Sequence, residues 1–249
     1  MKSPLAGRIA VIAVLLALWE IGARLWGDPL FVCPPSAVIG GLVTITQNGR
    51  IDSALSTAFF ELLAAFAFAV IAGIPLGVLL GRNRIWRLAI FPVVMLLYIV
   101  PQATLLPLFV LLFGVGAKAK IVFGFTHGIF PMVLTVAAAT RGIDPKLIRA
   151  ARSLGATQRQ IVMQVVLPSA VPGVFTGMRL AMAATLLGVL LAELYVSSAG
   201  VGSFTAQFTN AFQPPKLFAL IVLLATMAVV LNELCRLAEA HFSRWKASA

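Results

Sequence analysis

The side chains able to do chemistry are few in this sequence and far apart. Eight acids and two histidines, His127 and His241, are scattered over 249 residues, so nothing converges in the way an enzyme's carboxylates or metal ligands must. Cys33 and Cys235 form neither a CxxC pair nor a ligand spacing. No Gly-rich loop is followed by Lys and Ser or Thr, so the chain carries no phosphate cradle of its own. What distinguishes the remaining candidates is where they fall. His127, Arg179 and Glu193 sit within or near the ends of long apolar runs, and the polar stretch at about 140–168 contains Arg149-Ala150-Ala151-Arg152. A charge inside an apolar run is costly, so it marks either a functional contact or a partner in the protein interior.

The elements that position these residues have to be membrane spans. The sequence is 61% hydrophobic and 11% charged, with mean hydropathy +1.02, whereas soluble domains are about 45–50% apolar and about 25% charged. Runs long enough to span are Ile9–Leu25, Ala58–Leu80, Leu88–Phe113, Ile121–Ala139, Val171–Leu194 and Leu217–Leu237. A backbone in lipid must satisfy its own hydrogen bonds, so each run is expected to be helical. The expected fold is all-α and polytopic, with about six transmembrane helices in one membrane domain over residues 1–249. Lys2 and Arg8 ahead of the first run resemble a signal peptide, but Trp19 and Glu20 stand where a small-residue cleavage site would lie. A retained first span is expected.

The net charge of +11 would suggest nucleic acid in a soluble protein. Here the cations flank the apolar runs, which is the pattern of topology, and no nucleic-acid partner is expected. Taking the N-terminus inside, the inner segments hold Lys2, Arg8, Arg82, Arg84, Arg87, Arg141, Lys146, Arg149, Arg152, Arg159, Arg244 and Lys246. The outer segments hold Arg50, Lys118, Lys120 and Lys216, with Arg24 near an outer end. Both termini are therefore expected in the cytoplasm, with Cys33 and Cys235 on opposite sides and no disulfide between them. The outer stretch from Gly27 to Thr57, with breakers at Asp28-Pro29 and Cys33-Pro34-Pro35-Ser36, reads as a loop with a short interfacial helix.

The long inner connection, Thr140 to Pro168, reads as helix, bend, helix. Asp144 can cap the first turn and Pro145 tolerates the first helical position. Gly155 then supplies a stop, and Thr157 can cap a second helix running to Leu167-Pro168. Ala150 and Ala151 permit close approach of another surface, and Arg149 and Arg152 flank them. Those residues suit either a docking turn or a plain surface hairpin that obeys the charge rule.

The run Arg149-Ala150-Ala151-Arg152-Ser153-Leu154-Gly155-Ala156, followed by Val165-Val166-Leu167-Pro168, resembles the EAA loop of ABC importer permeases. Supporting stretches are Gly73-Ile74-Pro75-Leu76-Gly77, Pro101 through Pro107-Leu108, Phe113-Gly114-Val115-Gly116, Phe130-Pro131, Thr176-Gly177-Met178-Arg179, Ala192-Glu193 and Gly200-Val201-Gly202. The likeness extends from about Pro34 to Lys246 and is greatest to the nitrate, sulfonate, taurine and thiamine-precursor permeases. It implies a type I importer permease fold in the bacterial cytoplasmic (inner) membrane, and a coupling helix built on Arg149, Ala150, Ala151, Gly155, Leu167 and Pro168. It also implies ABC ATPase subunits that bind ATP and Mg, a second permease copy, and a periplasmic solute-binding protein. No cofactor or metal is implied for this chain itself. Arg149 departs from the family's Glu at that position, which puts the polarity of the contact in question.

Within the spans, Pro101 and Pro107 either break the third helix and bare its backbone to a solute path or only kink it for packing. Arg179, about 12 Å into the fifth span, fits an interior ion pair or contact with an anionic solute. Glu193 fits a gate, a docking contact or an interfacial charge, and His127 a satisfied buried histidine. Two rivals to the permease are an ATP-independent channel or secondary transporter, which would need an intramembrane carboxylate relay, and a membrane-embedded enzyme. The sparse acids serve neither.

Overall fold

The computed structural model describes residues 4–47, 49–196 and 200–242, and every regular element among them is a helix. Lys2, Arg244 and Lys246, used above to orient the chain, lie outside the described residues. In chain order, α1 is Pro4–Trp26, α2 Pro35–Gln47, α3 Arg50–Arg82, α4 Arg84–Ile99, α5 Leu106–Phe113, α6 Ala117–Arg141, α7 Pro145–Ser153, α8 Gln158–Gln160, α9 Leu167–Val196, α10 Val201–Asn210 and α11 Pro214–Phe242. A 3₁₀ turn, Gln102–Leu105, precedes α5, and a π-helical turn, Ile161–Val166, joins α8 to α9. Five membrane-length helices lie within Ala6–Trp26, Ile51–Arg82, Ala117–Arg141, Gln158–Val196 and Pro214–Ala240. The sixth expected span, Leu88–Phe113, is not one helix. Its two halves, Arg84–Ile99 and Gln102–Phe113, meet at 82°.

The chain forms two compact units, Met1–Thr57 with Ser198–Met227, and Ala58–Ser197 with Ala228–Ala249. In the first unit, α1 is apolar on all sides and exposes Ile9, Ile12, Leu15 and Leu18, as a helix in lipid does. Its one acid has a structural task. Glu20 accepts from the Ser36 backbone N–H at 3.0 Å and from Ser36 Oγ at 2.8 Å, satisfying a free donor in the first turn of α2, while Arg24 holds it at 2.6 Å. Trp19 packs on Phe218 and Phe31 on Phe212. Cys33 lies buried in this unit, where burial pushes its thiol up from the ordinary range; it and Cys235 are both free thiols.

The second unit is organised by one packing register. Every fourth residue of α3, namely Glu61, Ala65, Ala69, Gly73, Gly77 and Gly81, faces every fourth residue of α6, namely Lys120, Gly124, Gly128, Met132, Val136 and Thr140, at one constant offset. A Cβ added at Gly73, Gly77 or Gly81 would come within 2.6 Å of the side chain of Met132, Val136 or Thr140, and one at Gly124 or Gly128 within 3.2 Å of Ala65 or Ala69. Small residues take this close approach because association in lipid depends on van der Waals packing rather than on a hydrophobic driving force.

The constant offset makes α3 and α6 parallel, so the chain must be returned between them. That return is α4 with α5, and despite the 82° bend the pair does the work of a span. Asn83 reverses the chain between α3 and α4, accepting from the Ile85 N–H at 2.9 Å. Several of the same residues of α6 also meet α9, which runs in the opposite sense: Gly124 abuts Val189, Gly128 abuts Thr185, Gly177 abuts Met132 and Gly173 abuts Ala139.

Candidate functional site

Two places in the second unit hold the candidate residues: the connection from Thr140 to Pro168, and the polar groups set among α3, α6 and α9.

The connection folds as its residues dictate. Asp144 accepts from the Lys146 N–H at 2.8 Å with Pro145 in the first turn of α7. After α7, the Gly155 N–H bonds the Arg152 carbonyl at 2.9 Å and the Ala156 N–H bonds the Ala151 carbonyl at 3.0 Å. This paired closure needs a left-handed residue, and Gly155 has φ +76. Thr157 and Gln160 then form a reciprocal capping box, with Thr157 N–H to Gln160 Oε1 at 2.8 Å and Gln160 N–H to Thr157 Oγ1 at 3.3 Å.

The two alanines do different things. Ala151 is half-buried and packs with Ile148 and Ala156 against Ile143, Ile161, Val166 and Ala170, whereas Ala150 is exposed. Exposed beside it are Leu147 (51%) and Leu154 (88%), on the same helical face as Ala150 by their spacing. Arg149 and Arg152 are exposed around this stripe. Sequence reasoning missed the two leucines; their placement three residues before and four after Ala150 was the available signal. It also ended a helix at Leu167-Pro168, where the structure continues it. Pro168 has no N–H to donate, and just before it the ladder changes register, with the Leu167 N–H bonding the Val162 carbonyl across the π turn. Leu167 and Pro168 are half-buried at the start of α9.

The proline break lies between α4 and α5. Pro101, exposed, ends the first half, and its carbonyl accepts from the Thr104 N–H at 3.0 Å and Thr104 Oγ1 at 2.7 Å. Pro107 lies in the first turn of α5, where a missing N–H costs nothing. Leu106 of α5 packs with Ala119, Phe123, Ala192 and Val196, which sets the break beside α6 and α9.

The same neighbourhood holds a charge cluster that the sequence reading placed elsewhere. Lys120, assigned to an outer loop, is buried on α6 with Nζ 2.6 Å from Glu61 Oε1 and 3.5 Å from Glu193 Oε1. Glu61 and Glu193 are each 1% exposed, so both acids are interior groups of this unit. The side-chain ends meet because Glu61, Lys120 and Glu193 occupy the last facing positions of both helix pairings. In a low-dielectric interior charges persist only when paired, and one lysine serves two carboxylates here. His127, half-buried on α6, donates from Nδ1 to the Phe123 carbonyl at 3.0 Å and sits over Gly188 of α9. Arg179 is paired too: its Nη1 lies 2.5 Å from Glu239 Oε2 on α11. Among the described residues no group of His, Cys, Asp and Glu could hold a metal ion.

Residues 73–246 match the family described as binding-protein-dependent transport system inner membrane component. The chain is 30% identical to the taurine transport system permease protein of Escherichia coli (strain K12), covering 95% of this chain and 88% of that one. It is 29% identical to the putative aliphatic sulfonates transport permease protein of Bacillus subtilis (strain 168), over 95% and 86%, and 25% identical to the formylaminopyrimidine transport permease protein of Halalkalibacterium halodurans, over 87% and 86%. In fold it is similar to a chain of the MetNI methionine ABC transporter in inward-facing conformations, with TM-score 0.68 and 22% identity over 80% of this chain and 97% of that one.

Proposed function

Since the chain belongs to the family of binding-protein-dependent transport system inner membrane components, as an ABC importer permease, we propose that the whole chain works as one permease domain whose α7 seats on a separate ATPase subunit. ATP and Mg bind to that subunit. The permease pairs with a second copy of itself and takes its solute from a periplasmic binding protein. In this reading the membrane is the bacterial cytoplasmic membrane and both termini face the cytoplasm.

The observation that carries the reading is the outward stripe Leu147, Ala150 and Leu154 on a helix otherwise rimmed by Arg149 and Arg152. A short amphipathic helix whose apolar face is split between an inner cluster and open space is built to be covered on its outer side. Behind it, Ile148 and Ala151 are keyed into the cluster at the start of α9. Motion imposed on α7 is therefore passed to α9, and through the α9 and α6 contacts to the helices beside the Pro101 and Pro107 break, where bared backbone can meet solute. Glu193, Arg179 and His127 serve this path by holding its walls, since each already has an interior partner. For the solute, the taurine and sulfonate relatives support a small organic anion, and the formylaminopyrimidine relative leaves a pyrimidine open.

The test is purification of the tagged chain from its native membrane, followed by solute-stimulated ATP hydrolysis and uptake in vesicles. Recovery with an ATPase subunit and uptake that requires ATP are expected. Uptake by the chain alone without ATP would replace this reading with that of a channel.

A further inference from the structure

We propose that the groove between the end of α3, the start of α4, the last turn of α7 and the π turn that leads into α9 is a binding site for an anionic phospholipid. The groove has a volume of about 970 Å³, with Val78, Leu79, Val162 and Leu167 in its wall and Arg82, Arg84 and Arg152 as its charged residues; no acid is among the described residues that line it. Arg82 is fixed by a hydrogen bond to Gln158 Oε1, which orients the guanidinium without neutralising it. Arg84 and Arg152 are exposed and make no salt bridge with any described carboxylate. The first turn of α4 adds the positive end of a helix dipole to the same spot.

Charge and position together select the occupant. Three cations with no acid among them favour a net negative ligand, and guanidinium forks suit phosphate oxygens. A free anion would leave the apolar wall uncovered, whereas a phospholipid presents a phosphate and an acyl chain joined at the required boundary. The groove also lies at that boundary, since α3 is a membrane-length helix that ends at Arg82. Trp86, 48% exposed, and Ile85, 77% exposed, follow within the first turn of α4, and an exposed Trp at a span end is typical of the headgroup level. Basic pockets between spans recognise lipid headgroups through these forces. The site rests on the chain spanning a bilayer; Arg152 also rims the stripe on α7, so Arg84, which lies off that helix, keeps failure of the site separable from failure of the coupling assignment.

The test is a titration of the detergent-purified full chain with short-chain phosphatidylglycerol and phosphatidylcholine, read by native mass spectrometry. Phosphatidylglycerol is expected to bind the more tightly. Each basic residue near a headgroup contributes about fivefold in affinity, so Arg84→Gln should weaken it about fivefold and Arg84→Gln with Arg152→Gln about 30-fold. Lys118→Gln, at the far end of α6, should leave it unchanged. Equal binding of the two lipids, equal loss in Lys118→Gln, or displacement of lipid by an equal concentration of inorganic phosphate would each overturn the site. A photoreactive residue in place of Ile85 in native membranes should form lipid adducts. Adducts to a second copy of the chain or to an ATPase subunit would assign the groove to a protein interface instead.

Discussion

Lys120 Nζ lies 2.6 Å from Glu61 Oε1, at the final position of a register that pairs every fourth residue of α3 with every fourth residue of α6. Down the rest of that register a glycine faces either an alanine or a larger side chain, so the contacts fix the distance between the helices but permit sliding. The ion pair is directional, and it stops the slide. Glu193 draws α9 to the same nitrogen at 3.5 Å, making one lysine the common anchor of three helices.

Lys120→Met should therefore be among the most damaging substitutions in the second unit. It strands the buried Glu61 carboxylate and takes the lysine from Glu193, and removing one partner of a buried pair costs about 3–5 kcal/mol. The thermal unfolding midpoint of the detergent-purified chain is expected to fall sharply, and Lys120→Met with Glu61→Gln and Glu193→Gln should recover most of the loss by removing the negative charges that the lysine balanced. A midpoint unchanged in the single variant would show that the lysine is not an anchor.

Gly128 tests the close approach of α6 to α9. A Cβ there would collide with Thr185 Oγ1, while its next neighbours, Ala69 and the Ala181 carbonyl, stand at 3.2 and 3.3 Å. Gly128→Ala should destabilise by about 1–3 kcal/mol as an overpacked contact. Adding Thr185→Ala removes the obstructing oxygen and should restore part of the midpoint. No coupling between the two substitutions would mean that the helices part rather than collide.

The spans and the connection were legible because each rests on a local rule. Apolar runs bounded by cations mark helices for lipid, and Asp144-Pro145, Gly155 and Thr157 each carry a capping chemistry that acts within a few residues. The cluster around Lys120 was not legible, because it depends on which faces of α3, α6 and α9 meet, and a cation four residues into a span reads from sequence as a loop charge. The glycines at 73, 77 and 81 and at 124 and 128 held the missing clue: their spacing of four is a helix face, and two such faces allow parallel packing in which Glu61 falls opposite Lys120. The bend at Pro101 was half legible. Proline marked the place, but the 82° angle follows from α5 packing through Leu106 against Ala119 and Ala192.

Arg179 and Glu239 tie α9 to the later part of α11 at 2.5 Å, with side chains 31% and 21% exposed. Partial exposure screens the pair, so its loss should cost nearer 1 kcal/mol than the buried-pair figure. Arg179→Gln and Glu239→Gln should lower the unfolding midpoint by similar amounts, and the double variant by little more than either. If Arg179 instead served an anionic solute, Arg179→Gln would raise the solute concentration needed for half-maximal uptake while Glu239→Gln would not. That asymmetry would move Arg179 from the wall to the path.

On α7, neighbouring alanines should fail in different ways. Ala150 is exposed between Leu147 and Leu154, so Ala150→Glu should weaken ATPase association about tenfold or more while leaving the unfolding midpoint in place, since it sets a charge in an apolar contact. Ala151 is keyed into the cluster of Ile143, Ile161 and Val166, so Ala151→Glu should lower the midpoint as well, by burying an unpaired charge. Gly155 separates backbone from surface: a Cβ there meets nothing within 4 Å, yet φ is +76. Gly155→Asn, which tolerates the left-handed region, should keep association near the parent level, whereas Gly155→Val should lose it through strain of about 1–2 kcal/mol or more. Pull-down against the purified ATPase, beside the unfolding midpoint of each variant, reads all four. If Ala150→Glu and Ala151→Glu bind the ATPase as the parent does, the partner seats elsewhere, and the stripe of Leu147 and Leu154 is not its footprint.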